Sequence, residues 1–470
     1  MRRFYPFLTG VAAFCLYLFS GARTVQWQDS GQFVLRVGTG QIDNEWGLAM
    51  VHPLHFHLAR AAAALFPANI PWAVAGVSAL GGGLAVALLA LCVRRSTGSD
   101  RSALFAALSL TLAHTFWRFS GLPEVYTLSA ALLLLEVLAW MRLRDDPSPL
   151  RWVLLFCANG LAFSNHNLAL LSLPVWGISL LIALARKQIA FRHVVFAGLG
   201  WLVASLPYTS LIALEFLQSG DLAATLHSAL FGHHFADQVT GVLPRLDFLL
   251  ISLAFLVLSF PGLLLPLAVR EILRGKLPRP LLFLLLIHLA FVLRYNVIDQ
   301  YSFLVPVFPL IVWIGAQGWH RLPSRRLQHV ALVLVLLQPL LYFIAPTLAR
   351  HSGVLKTFSR NKPYRDDATY LLWPWTFLEN SAARVAAEAV SAAGPAGHIV
   401  VEDSMGVYAV AWELHQQGHS SQVRLLRPAD QEQTLLALAA NERVVWIPAR
   451  SDSPVPEHWR PYGAVWVNEE

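Results

Sequence analysis

Apolar residues run through this chain in long unbroken blocks, not in alternations or one-sided stripes. Residues 246–269, 281–293 and 331–344 hold almost nothing that water would solvate. Blocks of about 17–25 such residues read as membrane-spanning helices, because only backbones whose hydrogen bonds close internally survive in lipid. The pattern predicts about eleven spans, at 4–20, 71–93, 102–117, 123–141, 151–164, 167–185, 194–214, 246–269, 280–293, 301–319 and 328–348. After residue 350 the blocks give way to shorter amphipathic segments. Helices are expected at 382–393 and 407–417, with apolar strands at 397–403 and 444–448. The expected fold class is therefore an all-α polytopic membrane bundle over residues 1–349, followed by a small extramembrane α/β domain over 350–470.

Composition agrees with this pattern. Of 470 residues, 56% are hydrophobic and 13% charged, against about 25% charged in soluble proteins. Cys15, Cys92 and Cys157 all fall inside apolar blocks. They form no CxxC pair and suggest neither a disulfide framework nor a thiolate metal site.

The net charge of +7 raises nucleic acid as a partner, but the positions of the basic residues answer otherwise. With the N-terminus in the cytoplasm, Arg2, Arg3, Arg94, Arg95, Arg142, Arg144, Arg186, Lys187, Arg270, Arg274, Arg321, Arg325 and Arg326 all fall on the cytoplasmic side. Before the C-terminal segment, the opposite loops hold only Arg23, Arg36, Arg60, Arg118, Arg245 and Arg294. This is the positive-inside bias, so the charge orients helices and no nucleic-acid partner is expected. The first block also reads as a cleaved signal peptide, with Met1-Arg2-Arg3, an apolar core and Ser20-Gly21-Ala22. On either reading, residue 23 onward emerges on the outer side.

The outer loops contain what the cytoplasmic loops lack. The first, residues 21–70, carries Asp29, Asp43, Glu45, His52, His55 and His57. Later ones carry Arg118, Glu124-Val125-Tyr126, Asn165-His166-Asn167, His233-His234, and Arg294 with Asp299. Polar residues gathered on one side of a bundle point to a site there. Each also has a structural reading. Pro123-Glu124 suits a helix start, Asn165-His166-Asn167 suits a hairpin turn, and Arg294 with Asp299 suits an ion pair. His233-His234 lacks a third metal ligand fixed by spacing, and Gly81-Gly82-Gly83 suits close helix packing. Asp29 has no helix-capping role assignable from sequence.

At these residues the chain resembles a known family. Asp29-Ser30-Gly31-Gln32-Phe33, followed by His52-Pro53, is similar to the first-loop signature of a family related to the transmembrane protein O-mannosyltransferases, within the GT-C class of membrane glycosyltransferases. Glu124-Val125-Tyr126, the stretch 160–174, Tyr295-Asn296 with Asp299, Phe303 and Pro306, and the acid-ended strand at Glu402-Asp403 extend the likeness in the same order. The resemblance implies a GT-C-like fold and transfer of a sugar, mannose being one candidate, from a polyprenyl-phosphate carrier to an acceptor hydroxyl at the outer face. It also implies that Asp29 is the catalytic base. Two departures stand out: Gln32 where the family usually has glutamate, and Leu54-His55-Phe56 where it has Pro-Gly-Tyr.

The chemistry of the residues points the same way. A hydroxyl is a poor nucleophile near neutral pH and needs a base within hydrogen-bond reach. An oxocarbenium-like sugar carbon and a departing phosphate need charge or hydrogen-bond donors around them. Asp29 is the candidate base. The expected substrate and phosphate set is Arg36, His52, His55, Arg118, Glu124, Tyr126, Asn165, His166, Arg294 and Asp299. The acceptor is left open among protein, lipid and glycan. No cofactor is expected; a divalent metal on Asp29, Asp43, Glu45, His233 or His234 is the alternative. The expected location is a bacterial inner membrane with the site extracytoplasmic. Two other function classes are weighed. A lipid-linked sugar transporter would line the spans with polar residues, where Glu136 and His288 are the few candidates. A receptor or scaffold would need neither Asp29 nor His52.

Overall fold

The structure, a computed structural model, describes residues 5–241, 243–353, 361–395, 397–419, 422–425 and 443–468. Arg2 and Arg3 of the topology argument lie outside the described residues. Four helices are long and apolar enough to cross a membrane: Ile70–Thr97, Tyr126–Asp145, Asn167–Ala185 and Phe191–Ser219. The number rises to six if each of two bent pairs counts as one span. One pair, Leu246–Ser259 and Leu264–Leu273, turns through 107°. The other, Arg325–Leu336 and Gln338–Ser352, turns through 51°.

The expected count of about eleven spans is therefore not reached among the described residues, although every predicted block is helical. The first block is the 16-residue helix Tyr5–Ser20, and the third splits into Asp100–Thr111 and His114–Gly121. Proline accounts for one of the breaks. Pro261 has no N–H to donate and pushes Phe260 out of the helical region, and the chain turns there.

Glycines set the closest helix approaches. A Cβ at Gly81 would stand 2.6 Å from the Leu128 backbone nitrogen, and one at Gly83 would stand 2.8 Å from the Gly10 carbonyl oxygen. At Gly160 it would meet the Trp201 carbonyl oxygen at 2.3 Å. The expected packing role of Gly81-Gly82-Gly83 is what the backbone shows. Gly81→Val forces a side chain against rigid backbone and is expected to destabilise the bundle by about 1–3 kcal/mol, read as a lower unfolding temperature in detergent.

The first loop folds into two short helices, Asp29–Thr39 and Pro53–Leu65. The C-terminal segment forms a five-stranded sheet ordered β2-β1-β3-β5-β4, with β1 at His398–Val401, β2 at Gln422–Leu425, β3 at Val444–Ile447, β4 at Trp459–Tyr462 and β5 at Val465–Asn468. β1 runs parallel to β2 and β3, and β5 runs antiparallel to β3 and β4. Helices Ser381–Ala393 and Val407–Gln417 pack against each other beside it.

This sheet unit is docked on the first loop. A Cβ at Gly38 would meet the Trp412 ring at 2.2 Å. Trp27 donates its indole N–H to Ser381 Oγ at 2.8 Å and stacks on Tyr364 with ring centroids 4.8 Å apart.

Candidate active site

The two first-loop helices begin at residues held in the left-handed region. Gln28 has φ 59° and His52 has φ 51°, conformations that cost a non-glycine residue on the order of 1–3 kcal/mol. Surrounding contacts hold both. Gln28 N–H donates to the Met405 carbonyl at 3.0 Å, and the His52 ring donates to the Asn165 carbonyl. Immediately after Gln28, Asp29 opens its helix on the edge of a cavity of about 680 Å³.

Five carboxylates line that cavity, and three of them, Asp29, Glu124 and Asp299, come from three distant loops to act on one another. Glu124 is buried; its Oε1 accepts from Ser30 Oγ at 3.0 Å, and its backbone is clamped on both sides by Ser78 Oγ. Asp29 is exposed to the cavity. Desolvation by the surrounding protein and the nearby Asp299 charge push its carboxyl up to about 7. Burial, then the charge of Asp29, holds Glu124 well above the usual carboxylate range. Glu124, from a later loop, thus provides a second acid near Asp29, which Gln32 in the first loop does not.

The two histidines are complementary. His52 Nδ1 lies 3.0 Å from the Asn165 carbonyl oxygen, which can only accept, so Nδ1 carries the proton and Nε2 the lone pair. His166 is the reverse: its Nδ1 accepts from the Leu168 N–H at 3.1 Å, leaving Nε2–H as a donor. The rings stack with centroids 4.8 Å apart. Enclosure by protein holds His52 well below the usual imidazole range, with His166 and Arg36 adding to it, and pushes His166 down to about 4. Both are neutral at pH 7, one able to accept a proton and the other to give a hydrogen bond.

The cavity lining combines two chemistries. Apolar side chains include Leu168, Leu171, Leu230, Phe231, Val239 and Ile298. Polar and aromatic ones include Gln32, Glu45, Trp46, Asp403, Ser404 and Tyr408. Tyr126, Phe303 and Tyr295 form an edge-to-face run in the same lining, with centroids 5.2 and 4.7 Å apart.

Of the expected set, Asp29, His52, Glu124, Tyr126, His166 and Asp299 line the cavity. Asn165 stands behind His52, with its Nδ2 donating to Ser129 Oγ at 2.8 Å. The remaining four do not line it. The Arg36 guanidinium is spent on the carbonyls of Ile42, Met50 and Val51. Arg118 donates to the Trp373 carbonyl and lies 4.6 Å over the Tyr370 ring. Arg294 donates to the carbonyls of Thr240 and Gly241. His55 is fully buried against Phe33, with its pKa pushed down to about 3 by burial and Arg36. Among the described lining residues there is no arginine or lysine. The described residues also contain no group of three or more His, Cys, Asp or Glu side chains arranged to hold a metal ion.

Sequence reasoning missed the contribution of the C-terminal unit. The sequence shows Glu402-Asp403 as an acid-ended strand, but no local pattern marks Tyr408.

Residues 47–189 match the family described as the protein O-mannosyl-transferase TMEM260 N-terminal domain. The matched stretch contains His52-Pro53, Glu124-Val125-Tyr126 and His166, while Asp29 and Asp299 lie outside it. The fold is that of ArnT from Cupriavidus metallidurans, a GT-C glycosyltransferase. Its undecaprenyl phosphate-bound structure superposes with a TM-score of 0.64 at 15% identity, covering 98% of this chain and 97% of that one. The apo structure gives 0.60 at 14% identity, covering 94% and 92%. No curated protein sequence matches the chain. The apolar helices and the shared membrane fold make this an integral membrane protein.

Proposed function

We propose that this protein is a membrane glycosyltransferase that moves a sugar from a polyprenyl-phosphate carrier to an acceptor hydroxyl, with Asp29 as the general base. The observation that carries the reading is the convergence of Asp29, Glu124, His166 and Asp299, from four separate loops, on one cavity lined by both polar and apolar side chains. The apolar lining suits a hydrocarbon tail, and an enzyme embedded in the membrane suits a donor that cannot leave it. ArnT, whose fold this chain shares, is described with undecaprenyl phosphate bound. The family matched over 47–189 is named for protein O-mannosyl transfer, so mannose and a protein hydroxyl are the first donor sugar and acceptor to test.

The acceptor oxygen attacks the anomeric carbon while Asp29 takes its proton. The bond from that carbon to the phosphate oxygen breaks, and its electron pair leaves with the polyprenyl phosphate. The Nε2–H of His166 is the donor placed to stabilise the departing oxygen. We place the site on the extracytoplasmic face of a bacterial inner membrane, on the strength of the arginine asymmetry and composition. The reaction as written uses no resident metal or cofactor.

A transporter reading is not favoured. Glu136 accepts from Ser172 Oγ at 2.6 Å, Trp176 Nε1 at 2.5 Å and Asn159 Nδ2 at 3.2 Å, and His288 Nδ1 bonds to the Leu284 carbonyl. These mid-bundle polar groups are tied into the structure and do not line a path.

The test is incubation of the protein, reconstituted in liposomes, with labelled polyprenyl-phosphate mannose and, in parallel, the glucose form. Each is run with and without Mg²⁺. Label appearing in a hydroxyl-bearing peptide, lipid or glycan supports the proposal. Label moving across the bilayer without transfer contradicts it.

A further inference from the structure

Tyr408 belongs to helix Val407–Gln417 of the C-terminal unit, yet its phenol oxygen is the hub of the first loop. It accepts from Gln32 Nε2 at 2.8 Å and from Trp46 Nε1 at 2.6 Å, and it donates to Glu45 Oε1 at 2.5 Å. Two lone pairs and one proton are all a phenol has, and all three are used. The bonds continue inward. Asn44 Nδ2 donates to Gln32 Oε1 at 3.0 Å and to the Met50 carbonyl at 2.9 Å, and Trp46 N–H donates to Asn44 Oδ1 at 2.9 Å. One hydroxyl therefore joins Gln32, a single turn beyond Asp29 on the same helix, to the segment that ends at His52. The helix carrying Asp29 also lies against this part of the unit: a Cβ at Gly31 would touch Tyr408 Cβ at 3.4 Å.

We infer that Tyr408 is a positioning residue, through which the C-terminal unit fixes the Asp29 helix against the segment bearing His52 and keeps that side of the cavity closed. Nothing in the unit then needs to touch the reacting atoms for the unit to govern the reaction. Gln32 also gains a reason. The single phenol proton goes to Glu45, so position 32 must donate to Tyr408, which an amide does and an ionised glutamate does not. The departure from the family pattern at Gln32 and the presence of Tyr408 are two halves of one hydrogen-bonded arrangement.

The expected effect on transfer rests on the proposed function; the expected effect on Asp29 does not. The test uses the full-length chain in phosphatidylcholine nanodiscs, comparing wild type, Tyr408→Phe and the exposed control Tyr462→Phe. Phenylalanine keeps the ring packing and removes only the three hydrogen bonds. It replaces none of the carboxylates and imidazoles sharing the cavity with Asp29, namely Glu45, Glu124, Asp299, Asp403, His52 and His166, and among them only Glu45 loses a hydrogen bond.

Infrared titration, with Asp29→Asn subtracted to isolate the Asp29 carboxyl, is expected to show the midpoint falling by about one pH unit in Tyr408→Phe as water gains access. Turnover is expected to fall about 10–100-fold with KM for the donor little changed, the signature of lost alignment. Tyr462→Phe should move neither. An unchanged Asp29 midpoint and an unchanged kcat in Tyr408→Phe overturn the inference. If wild type transfers no sugar from any polyprenyl-phosphate donor, the functional proposal fails, while the infrared midpoint still decides the role of Tyr408.

Discussion

Asp29→Asn is expected to lower kcat by about 10²–10⁴-fold, the range a positioned general base contributes, with KM for the donor and the unfolding temperature close to wild type. The amide matches the carboxylate in shape but cannot take the acceptor's proton. Little else should change, because Asp29 caps nothing. Its helix is preceded by Gln28, which makes no side-chain capping bond, and the contacts that hold the helix run through Gln28, Gln32, Gly31 and Gly38. Glu124 keeps its bond from Ser30 in the variant. Single-turnover transfer of labelled sugar beside a thermal melt separates this outcome from misfolding. A variant that melts like wild type and turns over like wild type removes Asp29 from the mechanism.

The second large effect is on pH dependence. The Asp29 carboxyl is raised to about 7 by desolvation and by Asp299, and the base form is the active one, so activity is lost as pH falls through that value. Well below it, kcat/KM is expected to drop about tenfold per pH unit, giving about a 50-fold loss at pH 5 relative to pH 7. The histidines do not blur this limb, since both titrate well below it. The limb belongs to Asp29 together with Glu124, which share one field. Asp299→Asn removes a like charge and is expected to move the limb to lower pH. A profile flat from pH 5 to 8, or a limb that moves upward in Asp299→Asn, contradicts the assignment.

The membrane character was legible in the sequence because an unbroken apolar block has few folded options. The number of full spans was not, because hydropathy does not register where Pro261 breaks a ladder or how sharply the chain then turns. In the C-terminal segment, period and composition located both helices and two of the strands to within a few residues. The packing of that segment onto the first loop left no trace a linear reading could follow.

At the site, polar residues out of place in a hydrophobic chain pick out Asp29, Glu124, His166 and Asp299, which line one cavity. The arginines lie elsewhere. A guanidinium in an outer loop looks available for phosphate, yet Arg36 and Arg118 direct donors to backbone carbonyls. Sequence shows that donors exist, not where they are used. His52 was expected among the phosphate partners, but its proton is committed to the Asn165 carbonyl, which leaves it an acceptor. Tyr408 bonds to residues more than 360 positions away, beyond the reach of any local pattern.

The most direct measurement is a cryo-EM structure of the full-length chain in nanodiscs with a non-cleavable polyprenyl phosphonate mannoside. The account predicts the phosphonate within about 3 Å of His166 Nε2, the sugar beside Asp29, and the tail along Leu168, Leu171 and Ile298. Ligand density on the outer lipid-facing surface, with the cavity empty and Asp29 remote from the sugar, would contradict it.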